Sequence, residues 1–192
     1  MPLPLWGGEI ELLCMQPTIR LARKEDIPAI RQLNLVAFDP SERELIADLA
    51  VKMFSSPPEP PTFAYIAEID GALCGHCAFS PLWVRSPTPL TAYSLAPLSV
   101  HPDHQRKGIG SNLIHRGIEH LRREGVDLLW VYGDPDYYTR FGFSHTLGKA
   151  LRPPYPLHYP HGWLGLNLSK VDLGESTLAV DCIPALRNPA LW

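Results

Sequence analysis

The residues best suited to chemistry form one run, Leu98-Ser99-Val100-His101-Pro102-Asp103-His104-Gln105-Arg106-Lys107-Gly108-Ile109-Gly110. Strand-type residues end near Val100 and a helical apolar stripe begins near Lys107. A strand therefore passes through a loop into a helix. The first turn of a helix has unpaired N–H groups and the positive end of the dipole. Gly108 and Gly110 carry no side chain to block a close anion. These are the ingredients for holding a phosphate on backbone amides. Two nucleotide motifs do not fit. The Gly-Lys-Ser/Thr ending of the Walker loop is missing, as is the three-glycine spacing of the dinucleotide fingerprint. Tight helix packing that needs small residues is the plainer alternative, and two glycines alone do not dismiss it.

A second candidate is Cys74-Gly75-His76-Cys77. As a redox pair it needs a helix starting at the first cysteine, whose N-terminus lowers the thiol pKa. The residues that follow, Ala78-Phe79-Ser80-Pro81-Leu82-Trp83-Val84, read instead as strand. Cysteines three apart in a strand point to opposite faces. They are expected to be small apolar core residues. Zinc is excluded because no second ligand pair has suitable spacing. Cys14 and Cys182 stand alone.

These segments need positioning elements. Residues 19–22 suggest a short strand. Residues 25–38 carry Ile27, Ile30, Leu33 and Val36 at helical spacing. A second helix starts near Glu42, with Ser41 as N-cap and Glu44 as its capping-box partner. Its stripe is Leu45, Ile46, Leu49 and Met53. The proline-rich residues 55–61 form a loop. Residues 63–69 and 73–84 pair as a hairpin across Asp70-Gly71. Residues 93–100 are a third strand, broken or bulged at Pro97. A helix over 105–124 carries Ile109, Leu113, Ile114, Ile118 and Leu121 on one face. A buried strand spans 127–132. Asp134-Pro135 starts a short helix that Gly142 ends. Strands are expected at 163–168 and 177–183. Two helices, a meander, then helix, strand, helix and strand make a mixed α/β sheet in one domain.

The flanking residues make the loop more specific. Gln105-Arg106-Lys107-Gly108-Ile109-Gly110 resembles the Gln/Arg-x-x-Gly-x-Gly/Ala pattern of the GCN5-related N-acetyltransferase superfamily. Leu98-Ser99-Val100-His101-Pro102 resembles its fourth strand and the exit from it. Tyr138-Thr139-Arg140-Phe141-Gly142-Phe143 resembles its Tyr-x-x-x-Gly-Phe element. Gly75-His76 with Ala78-Phe79-Ser80-Pro81, Gly133-Asp134-Pro135 before Tyr137-Tyr138, and Leu151-Arg152-Pro153-Pro154 are similar to the YhbS-like predicted acetyltransferases. The resemblance runs from about Ile19 to about Leu168. It implies an α/β (α+β) fold whose mostly antiparallel sheet splays between its fourth and fifth strands.

The resemblance also implies acetyl-CoA as acyl donor, with no metal. Arg106, Lys107, Gly108, Ile109 and Gly110 would hold the pyrophosphate, with Gln105 and Ser111 beside them. Leu98, Ser99 and Val100 would pair with the pantetheine arm, and an N–H there would polarise the thioester. Arg140 and Tyr137 would contact the cofactor, and Arg116 is a further phosphate candidate. Tyr138 would protonate the departing thiolate. Glu42 either serves as base or simply complements its helix dipole. His101 and His104 read as solvated loop residues. The expected reaction is acetyl transfer to a primary amine, on a small molecule or a protein. A non-catalytic acyl-CoA sensor on the same fold is the alternative.

Bulk properties fit. The 192 residues suit one domain, 45% hydrophobic residues support a core, and a net charge of -3 argues against nucleic acid. No apolar run spans a membrane. Residues 1–14 lack a basic start and a cleavage site, which predicts a cytoplasmic protein. A monomer or homodimer is expected, with no signal in the sequence to choose between them. The expected organisation is an extension (1–16), the acetyltransferase domain (17–170) and a tail packed on it (171–192).

Overall fold

Strand β1 (Thr18–Leu21) is followed by helices α1 (Ile27–Ala37) and α2 (Arg43–Ser55) in the computed structural model, which describes residues 16–55, 59–174 and 177–192. The expectations for residues 1–14, Cys14 included, and for residues 56–58 lie outside the described residues. The meander follows as β2 (Phe63–Ile69), β3 (Ala72–Arg85) and β4 (Thr91–Val100). Asp70 and Gly71 both have positive φ, +54° and +76°, as the two-residue hairpin turn requires. Helix α3 (Ile109–Arg123), β5 (Leu128–Tyr132), α4 (Pro135–Tyr138), α5 (His145–Gly148), β6 (Leu151–Arg152), β7 (Trp163–Asn167) and β8 (Leu178–Cys182) complete the order.

One sheet runs β1-β2-β3-β4-β5-β7, antiparallel except where β4 meets β5. Strand β3 is long enough to serve two neighbours on one edge. Its first half pairs with β2, and Leu82–Arg85 pair with β8. The 177–183 stretch therefore enters the main sheet.

The sheet divides two helical layers. Phe79, Leu95, Leu113 and Ile114 fill the α3 side. Ile30, Ala50 and Ile66 meet on the other side, beside a cluster that includes Leu49, Met53 and Trp130. Helix α3 lies close to the sheet because Gly117 has no side chain. A Cβ there would stand 1.9 Å from Cζ of buried Phe79.

Local details differ from expectation at three places. Helix α3 begins at Ile109, because Gly108 takes a left-handed conformation, φ +81°, as its N-cap. The capping box at α2 does not form. The Ser41 hydroxyl donates to Asp39 Oδ1 (2.8 Å) and Glu44 pairs with Arg31 of α1 (3.0 Å). Asp39 starts the turn instead, its carbonyl accepting from the Glu42 and Arg43 amides. The cysteine pair is the third. The β2–β3 register shifts between Ala67 and Glu68 and leaves Cys74 as an extra residue. This bulge breaks the alternation, so Cys74 and Cys77 both join the core on the α3 side.

Gly117→Ala tests the close approach. A mid-helix alanine gains about 1 kcal/mol in propensity, whereas forcing the buried Phe79 ring to move costs about 1–3 kcal/mol. Chemical denaturation should show a lower midpoint. An unchanged or higher midpoint would mean the helix is not held at this distance.

Candidate active site

Strands β4 and β5 pair only over Ala92–Leu95 and Leu128–Val131. Immediately beyond, β4 carries two residues, Ala96 and Pro97, opposite the single Ala78 of β3. Pro97 has no N–H to offer a neighbour. The sheet therefore opens between β4 and β5. His101 N–H donates to Cys74 O on β3 (2.9 Å). Backbone groups alternate along a strand, so those of Val100 and Leu98 face the open edge and those of Ser99 face β3.

A cleft of about 580 Å³ lies on the α3 side of this opening. Leu98, Val100, Gln105, Arg106, Gly108, Ile109, Gly110, Ser111, Tyr137 and Arg140 line it. Arg106 and Gly108 are both left-handed, φ +60° and +81°, which curls the loop around the helix start. No side chain caps α3. The first bond of the ladder runs from Asn112 N–H to Gly108 O (3.0 Å). The amides of Ile109, Gly110 and Ser111 precede it and have no acceptor within the helix. Tyr137 Oη lies so near that a Cβ on Gly110 would be 2.7 Å from it. Arg140 stacks its guanidinium 4.6 Å from the Tyr137 ring centre and donates through Nε to Tyr137 O.

Two residues expected here are elsewhere. Lys107 does not line the cleft, since its Nζ donates to Asp103 O (2.8 Å). The Ser99 side chain is buried by strand alternation, on the strand face away from Leu98 and Val100, and Ser99 pairs with His76 in the β3 register. His104, expected in solvent, lines the cleft, and its Nδ1 is buried without a partner.

A second pocket, about 360 Å³, opens on the α2 side. Glu42, Ile46 and Leu49 of the α2 region, Ser94 to Leu98 of β4, Gly133, Asp134 and Tyr138 line it together with Leu186, Leu191 and Trp192. Leu98 borders both cavities. Tyr138 is 9% exposed, edge-on to Tyr137 and Phe143. Burial, with smaller effects from Cys77, Tyr137 and Asp134, pushes its phenol pKa up. Asp134 caps α4 by accepting from Asp136 N–H (2.9 Å). Among the described residues no hydrogen bond or ion pair engages the Glu42 carboxylate. The sequence offered no signal for residues 186–192, which reach the pocket only through the fold.

The acetyltransferase (GNAT) family model matches residues 27–143. The chain belongs to this family. The uncharacterized N-acetyltransferase YjhQ of Escherichia coli K12 is 34% identical over 147 residues, 75% of this chain and 79% of that protein. The Escherichia coli GNAT family N-acetyltransferase YhbS, solved in complex with CoA, superposes with a TM-score of 0.74 at 25% identity, covering 91% of this chain and 93% of that one. A GNAT family acetyltransferase from Brucella melitensis, solved with acetyl-CoA, has a TM-score of 0.62 at 28% identity over 86% and 96%.

The cysteines belong to the core. Cys74, Cys77 and Cys182 are buried free thiols, and burial raises the pKa of each. Alkylation of the native protein near neutral pH should therefore leave all three unmodified until denaturant is added, as read by peptide mass. Rapid native labelling of Cys74 or Cys77 would restore the redox reading.

Proposed function

We propose that the protein is an acetyl-CoA-dependent N-acetyltransferase that moves an acetyl group to a primary amine by direct attack on the thioester. The observation that carries this reading is the meeting of two cavities at Leu98, beside Tyr138. One cavity presents amides and arginine to an anion. The other leads from solvent to the same point. The solved relatives with CoA and acetyl-CoA support the choice of anion.

A helix dipole contributes only about 0.3–1 kcal/mol to an anion. Binding a pyrophosphate therefore falls mainly to the amides of residues 108–111 and to Arg106 and Arg140. The open edge of β4 supplies pairing for the amide-bearing pantetheine arm. In our assignment Leu98 N–H donates to the thioester carbonyl oxygen and takes up its developing charge. The neutral amine forms a C–N bond to the carbonyl carbon, and the C–S bond then breaks. The sulfur takes a proton from Tyr138. The amine gives one to Glu42 or to water. A raised phenol pKa keeps Tyr138 protonated throughout the neutral range, so the acid is always ready.

Tyr138→Phe should lower kcat by about 10²–10⁴ and leave acetyl-CoA affinity nearly intact. Thiol release from acetyl-CoA measures the first and calorimetry the second. In the wild type, kcat/KM should rise with pH as the amine loses its proton, with no fall below about pH 9.5, since even an ordinary phenol holds its proton to about pH 10. Unchanged turnover in the variant would refute the acid role.

Gly108→Glu sets a side chain on a left-handed backbone and a negative charge at the helix start. CoA affinity should fall at least about tenfold, roughly the effect of 1.4 kcal/mol. Unaltered affinity would mean that the pyrophosphate binds elsewhere. Tight acetyl-CoA binding with no turnover on any amine would favour an acyl-CoA sensor over an enzyme.

A further inference from the structure

We infer that the acceptor is a small primary amine borne on an apolar, preferably aromatic body, with no carboxylate beside the amine. This deepens the acetyltransferase reading and rests on it.

The chemistry of the second pocket carries the inference. Among the described residues, Glu42 and Asp134 are the only charged side chains that line it, and no lysine, arginine or histidine does. Both acids are exposed, at the starts of α2 and α4. They attract an ammonium ion and repel a carboxylate. An amino acid would bring a carboxylate into a pocket with no cation to pair it, which is costly once water is displaced. A polyamine would instead lay further ammonium groups against carbon. The deeper walls are largely apolar, with Leu49, Leu186 and Trp192 all buried beside the Ser94 hydroxyl.

The Trp192 wall is firmly set. Its Nε1 donates to Leu186 O (3.0 Å), so the indole's one polar atom is satisfied. Its ring stacks at 20° to Tyr132 and meets Trp163 edge-on, with centres 6.4 and 5.7 Å apart. Phe38 and Tyr132 add further aromatic lining. Such rings suit a flat apolar body. The volume, about 360 Å³, is at the low end of the roughly 300–1,000 Å³ of small-molecule pockets.

The test is a panel of acceptors with the full chain at saturating acetyl-CoA, read by thiol release. 2-Phenylethylamine should exceed phenylalanine, lysine and spermidine in kcat/KM by at least tenfold. Calorimetry with CoA present should show 2-phenylethylamine binding. Ile46→Arg places a cation on the half-buried wall of α2 and should shrink the preference for 2-phenylethylamine over phenylalanine at least tenfold. An unmoved ratio would overturn the assignment of this wall. If that variant fails to fold, the wild-type panel still decides. Faster transfer to spermidine, lysine or phenylalanine would overturn the substrate class and leave the acetyltransferase reading intact. Binding of 2-phenylethylamine with no transfer to any amine would keep the class and sink the transfer reading. Neither binding nor transfer would sink both.

Discussion

The parting of β4 from β5 governs the rest of the molecule. Buried backbone groups need partners, and a sheet normally supplies them from the next strand. Here the ladder stops after Leu95 and Val131. The doubled residues at Ala96 and Pro97 bend β4 away. On the other side, β5 ends at Tyr132 and Gly133 turns the chain into α4. Two consecutive tyrosines then face different cavities, Tyr137 the α3-side cleft and Tyr138 the α2-side pocket. The gap is thus held open from both edges, and its exposed backbone is the natural template for an extended ligand.

The α3 layer depends on the same geometry. Its helix starts at the mouth of the gap only because Gly108 and Arg106 reverse the chain within a few residues of Val100. Its distance from the sheet is set further along, where Gly117 meets Phe79. Packing at one end of α3 and loop conformation at the other therefore fix where the free amides point. Cys74, Cys77 and Gly75 fill this same interface, which explains small residue types there without redox chemistry.

Much of this was readable in the sequence, because local signals carried it. The Asp70-Gly71 turn, the Asp134-Pro135 helix start, the α3 stripe and the loop glycines each follow from backbone preference or periodicity over a few residues. The resemblance of residues 98–110 and 138–143 to the acetyltransferase superfamily supplied the splay. What was not readable depended on contacts between distant segments. Glu44 had a plausible local partner in Ser41 but found Arg31 instead. Alternation predicted opposite faces for Cys74 and Cys77, and a single bulge reversed that. Ser99 sat among cleft residues in the sequence, yet its side chain faces the other way. Leu186, Leu191 and Trp192 carried no motif at all, since a pocket wall formed by a remote segment has no local signature.

The two cavities differ in how they are encoded. Every described residue lining the α3-side cleft falls between Leu98 and Arg140. The α2-side pocket draws on Phe38 to Leu49, on β4, on the β5–α4 turn and on Leu186 to Trp192. Sequence change in the outer segments can therefore reshape one partner's site without disturbing the other's. In the proposed reading, such a fold keeps its donor while its choice of acceptor drifts.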